Sequence, residues 1–326
     1  DWSERVCQER HRAISLLSQG NLRVWGEERL AVMFDASDKA RGFRWMLGAY
    51  LTAMIAACFT LGLGLSTDLL WQSGYADLAA TLVIFGFSFG LNNSSLYDPY
   101  WSVVPMVLVL YWALQSGVGV GLAQGVMVAL IWIWGARLTW NFWRGWPGLH
   151  HEDWRYVAFR DKTGSLYWLV SFSGIHLFPT VVVFFGLLGP YVFSTADGVQ
   201  SWLCFGAAVL VTTGAIVIEA VADEQLRVFV SGKPEPGSIM RSGLWAYSRH
   251  PNYFGEMSFW WGLWLFGMAA DPTAWWTIVG PGSITLMFVF ASIPMLDARS
   301  VERRPAYAEH MQRVSGLVPL PPRREG

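Results

Sequence analysis

Charge is what this sequence has least of. Asp, Glu, Lys and Arg make up 14% of its 326 residues while 53% are hydrophobic, where a soluble domain carries about a quarter charged. So few polar side chains cannot wet every face, which excludes a water-soluble globule. A net charge of -1 excludes a broad nucleic-acid surface, because phosphate binding needs clustered positive charge. Cysteine is nearly absent: Cys7, Cys58 and Cys204 have no short spacing and no Cys-x-x-Cys, so neither a disulfide framework nor a thiolate metal site is indicated. The adjacent His150 and His151 have no His-x-x-x-His or carboxylate partner spacing, and no metal is expected. The first 42 residues are too charged to read as a signal peptide.

Long apolar runs are what the chain does have. They fall at about 44–65, 77–92, 101–116, 118–138, 166–190, 201–221, 253–270 and 273–295, and roughly 20 residues of helix cross the hydrocarbon. The fold class predicted is all-α, a polytopic membrane bundle of about eight transmembrane helices. The second and third runs are short, and Pro105 interrupts the third, so a kinked pair or a re-entrant hairpin would lower the count to seven or six. All 23 Lys and Arg fall in four segments, 1–44, 137–164, 221–252 and 295–326. Eight crossings put these on one side, which the excess of positive charge marks as cytoplasmic, with both termini there. Residues 43–326 then form an integral membrane domain in contact with lipid. Residues 1–42 form an interfacial or cytoplasmic segment, amphipathic through Ala13, Ile14, Leu16 and Leu17, then Val24, Trp25, Leu30, Met33 and Phe34. The 20 Trp read mainly as interfacial or packing residues. The glycines from Gly117 to Gly121 and Gly125 read as points of close helix approach. Nothing in the sequence speaks to oligomeric state.

The polar residues gather in a few places. Arg137, Asn141, Arg144, His150, His151, Glu152, Asp153 and Arg155 follow the fourth run, and suit either an anion or cofactor site or an interfacial set of salt bridges. Glu219 and Asp223 lie four apart on one helix face. Pro251 suits the opening of the seventh helix, with Asn252 and Glu256 one turn apart. A carboxylate entering a membrane is a functional hypothesis by default; Glu256 either lines a polar site or pairs with Arg249 or His250. Glu302, Arg303 and Tyr307 could brace a ligand or meet anionic lipid. Between the second and third runs, Tyr97, Asp98 and Tyr100 are available as proton donors, although Asp98 could instead cap the helix starting near Trp101. His176 suits a hydrogen bond to a neighbouring helix.

The string Gly243-Leu-Trp, then Ser248-Arg-His-Pro-Asn-Tyr-Phe-Gly-Glu256, with the Arg-rich tail ending near Val318-Pro319, resembles the C-terminal half of the steroid 5-alpha-reductase family. More closely it resembles the mostly bacterial DUF1295 group, over residues 100–322. The wider superfamily also holds sterol reductases and isoprenylcysteine carboxyl methyltransferases. The resemblance implies a helical enzyme of a bacterial inner membrane that holds NADPH in its cytoplasmic half and reduces an activated C=C bond of a hydrophobic, steroid-like or other lipid substrate. Carried over by position, Asp223, Asn252 and Glu256 look like cofactor contacts, Arg303 and Tyr307 like tail residues closing over it, and Arg155 and Arg249 like further contacts. The reductases also carry an early Gln-Glu pair that activates the carbonyl. No such pair occurs in the first three runs here, and Asp98, Tyr97 and Tyr100 stand as candidates for that acid. An S-adenosylmethionine-dependent methyltransferase acting on a lipid or prenyl group, and a non-enzymatic lipid-binding or assembly protein, are the alternatives.

Overall fold

A computed structural model describes residues 24–323, with the backbone alone for 24–37. The stripe at Ala13, Ile14, Leu16 and Leu17 lies outside the described residues. No β-strand occurs among the described residues. Ten helices follow in order: α1 Val24–Gly62, α2 Leu69–Gly90, α3 Tyr100–Gln115, α4 Leu122–Gly145, α5 Trp154–Gly186, α6 Leu188–Thr195, α7 Trp202–Ser231, α8 Pro251–Ala270, α9 Pro272–Arg303 and α10 Tyr307–Arg313. Six of the described helices are long and apolar enough to cross a membrane: α1 from Asp38, α2, α4, α5, α7 and α9. With α3 and α8 among them they make the bundle of an integral membrane protein.

The second run differs from its sequence reading. Asp68 caps α2 by accepting from Leu70 N and Trp71 N, so the helix begins at Leu69 and is 22 residues long. That is a full crossing and no half of a hairpin. Gln72, Ser73 and Asp77 break the apolar run, but their polar groups are bonded within the bundle: Trp112 Nε1 donates to Ser73 Oγ at 3.0 Å and Tyr111 Oη to Gln72 Oε1 at 3.2 Å. The glycine reading is also corrected. Gly117 and Gly119 have φ of +77° and +80° and turn the chain between α3 and α4, while Gly125 has open space beside it.

Close approach happens elsewhere. A Cβ on Gly255 would lie 2.7 Å from Glu219 Cβ, so a side chain there would push α8 off α7. Helix α8 buries twelve of its twenty residues, including Phe259, Trp260, Leu263 and Phe266 of the main core. Its three Trp, three Gly, Asn252 and Glu256 make it too polar to count among the six apolar helices, and protein rather than lipid surrounds it. Helix α5 carries a π-helical turn at Ser171–Leu177, a form frequent at functional sites. The turn aims His176 at Ser88 Oγ of α2 (3.0 Å).

The four basic segments do meet at one end where they are described. Asn93 donates to the carbonyls of Leu149 and His151, Lys39 donates to Arg144 O, and Arg299 lies 3.7 Å from the ring centre of Trp154. At the other end Gln200 N and Ser201 N donate to Ala269 O.

Candidate functional site

Three helices bring a charged cluster together just inside the basic end. Arg137 comes from α4, Glu219 and Asp223 from successive turns of α7, and Asn252 and Glu256 from successive turns of α8. Arg137 Nη1 donates to Asp223 Oδ2 at 2.7 Å, and Asn141 Nδ2 donates to the same oxygen at 3.1 Å. Asn252 Nδ2 reaches Asp223 Oδ1 at 3.4 Å. Arg137 Nη2 lies 2.6 Å from Glu219 Oε2, a close ion pair. Arg137 Nε is a buried polar atom with no hydrogen-bond partner among the described residues. Two carboxylates, Glu219 and Asp223, thus share one guanidinium.

Glu256 is held differently. Trp101 and Trp260 donate their indole N–H groups to Oε1 at 3.0 and 2.9 Å, and Trp134 donates to Oε2 at 2.9 Å. These indoles come from α3, α8 and α4, so one buried carboxylate ties three helices. The alternative pairing of Glu256 with Arg249 or His250 is not found among the described residues. An indole N–H can only donate, and a buried Trp must find an acceptor; that requirement was the sequence signal for the three tryptophans, which read only as packing residues.

Arg249 and Tyr307 belong to a second cluster that straps the tail onto the bundle. Asp297 accepts from Arg249 Nη2 at 2.7 Å and from Tyr307 Oη at 3.3 Å, and His250 Nε2 lies 2.9 Å away. Arg249 Nη1 donates to the carbonyls of Met311 and Val314. Arg249 is thereby tied to the tail. Burial and then the charge of Asp297 push the Tyr307 phenol up to about 12. Arg303 is exposed and has no ion pair among the described residues. Asp297 was missed in the sequence because it follows the last apolar run.

Tyr97, Asp98 and Tyr100 are neighbours in the chain that diverge in space. Tyr100 Oη donates to Asp77 Oδ1 on α2 at 2.7 Å and lies 3.2 Å from Thr81 Oγ1. Thr81 meets Thr180 of α5 at 3.0 Å, and Thr180 meets Tyr97 Oη at 2.8 Å. Five side chains thus form one buried hydroxyl ladder from Asp77 to Tyr97. Burial raises the Tyr97 phenol well above its ordinary value. Asp77 was not anticipated, because α2 was expected to begin there.

Asp98 turns the other way and accepts from Tyr156 Oη at 2.5 Å. It does not cap α3, whose N-cap is Pro99; it ends the short 3-10 turn Ser94–Tyr97. Its surface is only partly covered, but dense protein surrounds the carboxyl, and that depth sets the cost of charging it. Burial, opposed first by Arg155, moves its pKa up to about 7. Arg155 itself is held by Asp153, Nε to Oδ1 at 2.8 Å.

The family described as a protein of unknown function, DUF1295, matches residues 84–314. The span takes in every side chain of these clusters except Asp77 and Thr81. The chain is 26% identical over 267 residues to an uncharacterized protein of Schizosaccharomyces pombe, covering 73% of this chain and 76% of that one. No solved structure matches.

Proposed function

The chain belongs to the DUF1295 family, and from that membership we propose that it is a membrane oxidoreductase using NADPH to reduce an activated C=C bond of a hydrophobic lipid substrate. The observation that carries this reading is the convergence of Asp223 and Asn252, from two helices, beside Arg137 and Asn141 at the basic end of the bundle. Both are partly accessible, and they adjoin the Arg137 guanidinium, whose buried Nε has no hydrogen-bond partner among the described residues. A buried polar wall with spare hydrogen-bonding capacity suits a ligand rich in hydroxyl and amide groups. Arg303 and the Arg299 guanidinium stacked on Trp154 lie at the same end and suit its phosphates. These residues fit the cofactor, with Asp223 and Asn252 holding it and the arginines steering it in.

The chemistry NADPH supplies when bound is hydride transfer to an electron-poor carbon. The protein's part is to orient both molecules and to stabilise the charge that develops on the substrate oxygen. Tyr100 is the acid we favour, because Asp77 fixes its hydroxyl and the ladder beyond Thr81 can reorient around it. Asp98, titrating near neutral pH, could serve the same end from the Arg155 side. The basic end is then cytoplasmic, with both termini there, and the substrate arrives through the bilayer. A bacterial inner membrane remains the proposed location; the fungal relative means that similar chains also occur in eukaryotes.

One observation favours a second reading. Carboxylates outnumber cations here, Glu219, Asp223 and Glu256 against the one guanidinium of Arg137, which suits a cationic cofactor, as the sulfonium of S-adenosylmethionine is, and would point to methyl transfer onto a lipid. Calorimetry of the detergent-purified protein with each cofactor decides. NADPH binding weakened about tenfold by Asn252→Ala, a loss of roughly 1.4 kcal/mol, supports the reductase. Binding of S-adenosylmethionine alone moves the case to methyl transfer, and binding of neither overturns both. Glu256 is a poor control, since its loss would free three helices.

A further inference from the structure

The proposed mechanism leaves one line of buried polar side chains unused, and helix α5 builds it. The π-helical turn Ser171–Leu177 pairs residues five apart, which an α-helix would turn about 140° away from each other. Ser171 and His176 therefore share a face, and His176 Nδ1 lies 2.9 Å from Ser171 O and 3.4 Å from Ser171 Oγ. Ser171 Oγ meets Ser94 Oγ at 2.9 Å, and Ser94 Oγ meets Tyr167 Oη at 2.7 Å. Tyr167 Oη donates to Glu152 Oε1 at 3.0 Å. Glu152 is partly accessible at the basic end and pairs with Arg160 at 3.1 Å. The other four side chains are buried. Five side chains thus run from an accessible carboxylate to a buried imidazole.

A network that only satisfies buried groups needs one arrangement, and this one has several. Either oxygen can donate in the Ser94–Tyr167 and Ser94–Ser171 pairs. A neutral imidazole donates from one nitrogen and accepts at the other. With the proton on Nδ1, Ser171 O accepts it, and Ser88 Oγ donates to Nε2 at 3.0 Å. With the proton on Nε2, Ser88 Oγ accepts it, and Ser171 Oγ is a donor within reach of Nδ1. The charged imidazolium finds two acceptors, Ser171 O and Ser88 Oγ. Every protonation form of His176 is therefore served, as a proton carrier requires. The imidazole also lies against Tyr97, ring centres 4.9 Å apart, and the His176 carbonyl accepts from Thr180 Oγ1 at 2.8 Å. Tyr97 and Thr180 are one end of the hydroxyl ladder.

We propose that Glu152, Tyr167, Ser94, Ser171 and His176 form a proton entry path from the basic end to the foot of that ladder. Glu152, protonated by water, passes its proton to Tyr167 Oη as Tyr167 passes its own to Ser94, Ser94 to Ser171 and Ser171 to His176 Nδ1. Each transfer breaks one bond to hydrogen and makes one. Glu152 is left a carboxylate beside Arg160 and His176 an imidazolium. That the imidazolium then restores the proton lost by Tyr97 and Tyr100 rests on the reductase reading; the path to His176 does not.

Hydrogen exchange at the His176 ring is the test. Detergent-purified protein carrying isotope-labelled histidine is moved into heavy water, and loss of the His176 N–H signal is timed by NMR. The signal is assigned by its proximity to the rings of Phe85 and Tyr97. Tyr167→Phe keeps the ring and removes the hydroxyl that links Glu152 to Ser94. It should slow exchange at least about tenfold, or roughly 1.4 kcal/mol of barrier. Loosened packing acts with the opposite sign, since local opening speeds exchange. Ser171→Ala cuts a later link and should slow exchange likewise, and it decides the matter alone if Tyr167→Phe fails to fold. Unchanged or faster exchange in either folded variant overturns the path. Thr180→Val, on the ladder side of the ring, should not slow exchange; slowing there would bring the proton in through the ladder and overturn it as well. No cofactor or substrate is present, so failure here is distinct from failure of NADPH to bind in the calorimetry.

Discussion

The charged cluster on α4, α7 and α8 and the hydroxyl ladder on α2, α3 and α5 solve the same problem in opposite ways. Both place polar groups where water is scarce. The cluster uses fixed donors: one guanidinium and three indoles, each with a single orientation, serve three carboxylates. The ladder uses hydroxyls whose roles can reverse, since either oxygen can donate in the Thr81–Thr180 and Thr180–Tyr97 pairs. A fixed array suits recognition of a ligand. A reversible one suits movement of a proton. The difference teaches that the two halves of the proposed reaction, holding the cofactor and protonating the product, are assigned to separate helices.

The largest effect should come from Arg137→Ala. It leaves Glu219 and Asp223 without their cation, and breaking a buried pair costs about 3–5 kcal/mol. A loss below about 1 kcal/mol in detergent unfolding would mean that charge does not hold the cluster, and the contrast would collapse. Glu256→Leu comes next. It strands three indole N–H groups, with an expected loss of about 2–4 kcal/mol, and Glu256→Gln should recover part of it. If Leu and Gln behave alike, the indoles do not depend on the carboxylate.

Asp98 sharpens the comparison through pH. Its carboxyl is moved up to about 7 in the folded protein, against about 3.9 in an unfolded chain. Between those values the folded form binds more protons than the unfolded form. Stability should therefore fall as pH rises from about 4 to 7, and level off above. Allowing for its accessible edge, the drop should be about 2 kcal/mol. Asp98→Asn should flatten the slope; an unchanged pH profile would assign the trend to other groups. The smallest effect is expected at Thr180→Val, which cuts the ladder at its centre for about 1 kcal/mol. Thr180→Ser should restore it, and failure to do so would show that packing of the methyl group matters more than the hydroxyl.

Much of the architecture was legible because the membrane imposes it. Apolar length and the confinement of Lys and Arg to four segments were enough to place the helices and bring the described basic segments to one end. The start of α2 was not legible, since Gln72, Ser73 and Asp77 look like a break until Trp112, Tyr111 and Tyr100 are seen to satisfy them. The pairs Glu219 with Asp223 and Asn252 with Glu256 were legible from four-residue spacing, and the family resemblance grouped Asp223, Asn252 and Glu256. What joins them was not: Arg137 lies more than eighty residues from Asp223, and no local pattern marks a tryptophan that donates to a distant carboxylate. Tyr97, Asp98 and Tyr100 show the converse limit. Proximity in sequence grouped them, and the 3-10 turn at Ser94–Tyr97 with the helix that follows sends them to different partners.

The tail strap also sets an order of assembly. Arg249 and His250 sit at the start of α8, yet their partners are Asp297, Met311, Val314 and the Ser315 carbonyl. On the ribosome, Arg249 and His250 are made 47 to 66 residues before those partners. Trp101 and Trp134 have by then already been made and can receive Glu256. The buried end of α8 can therefore dock early, while its polar end stays unfastened until translation is nearly complete.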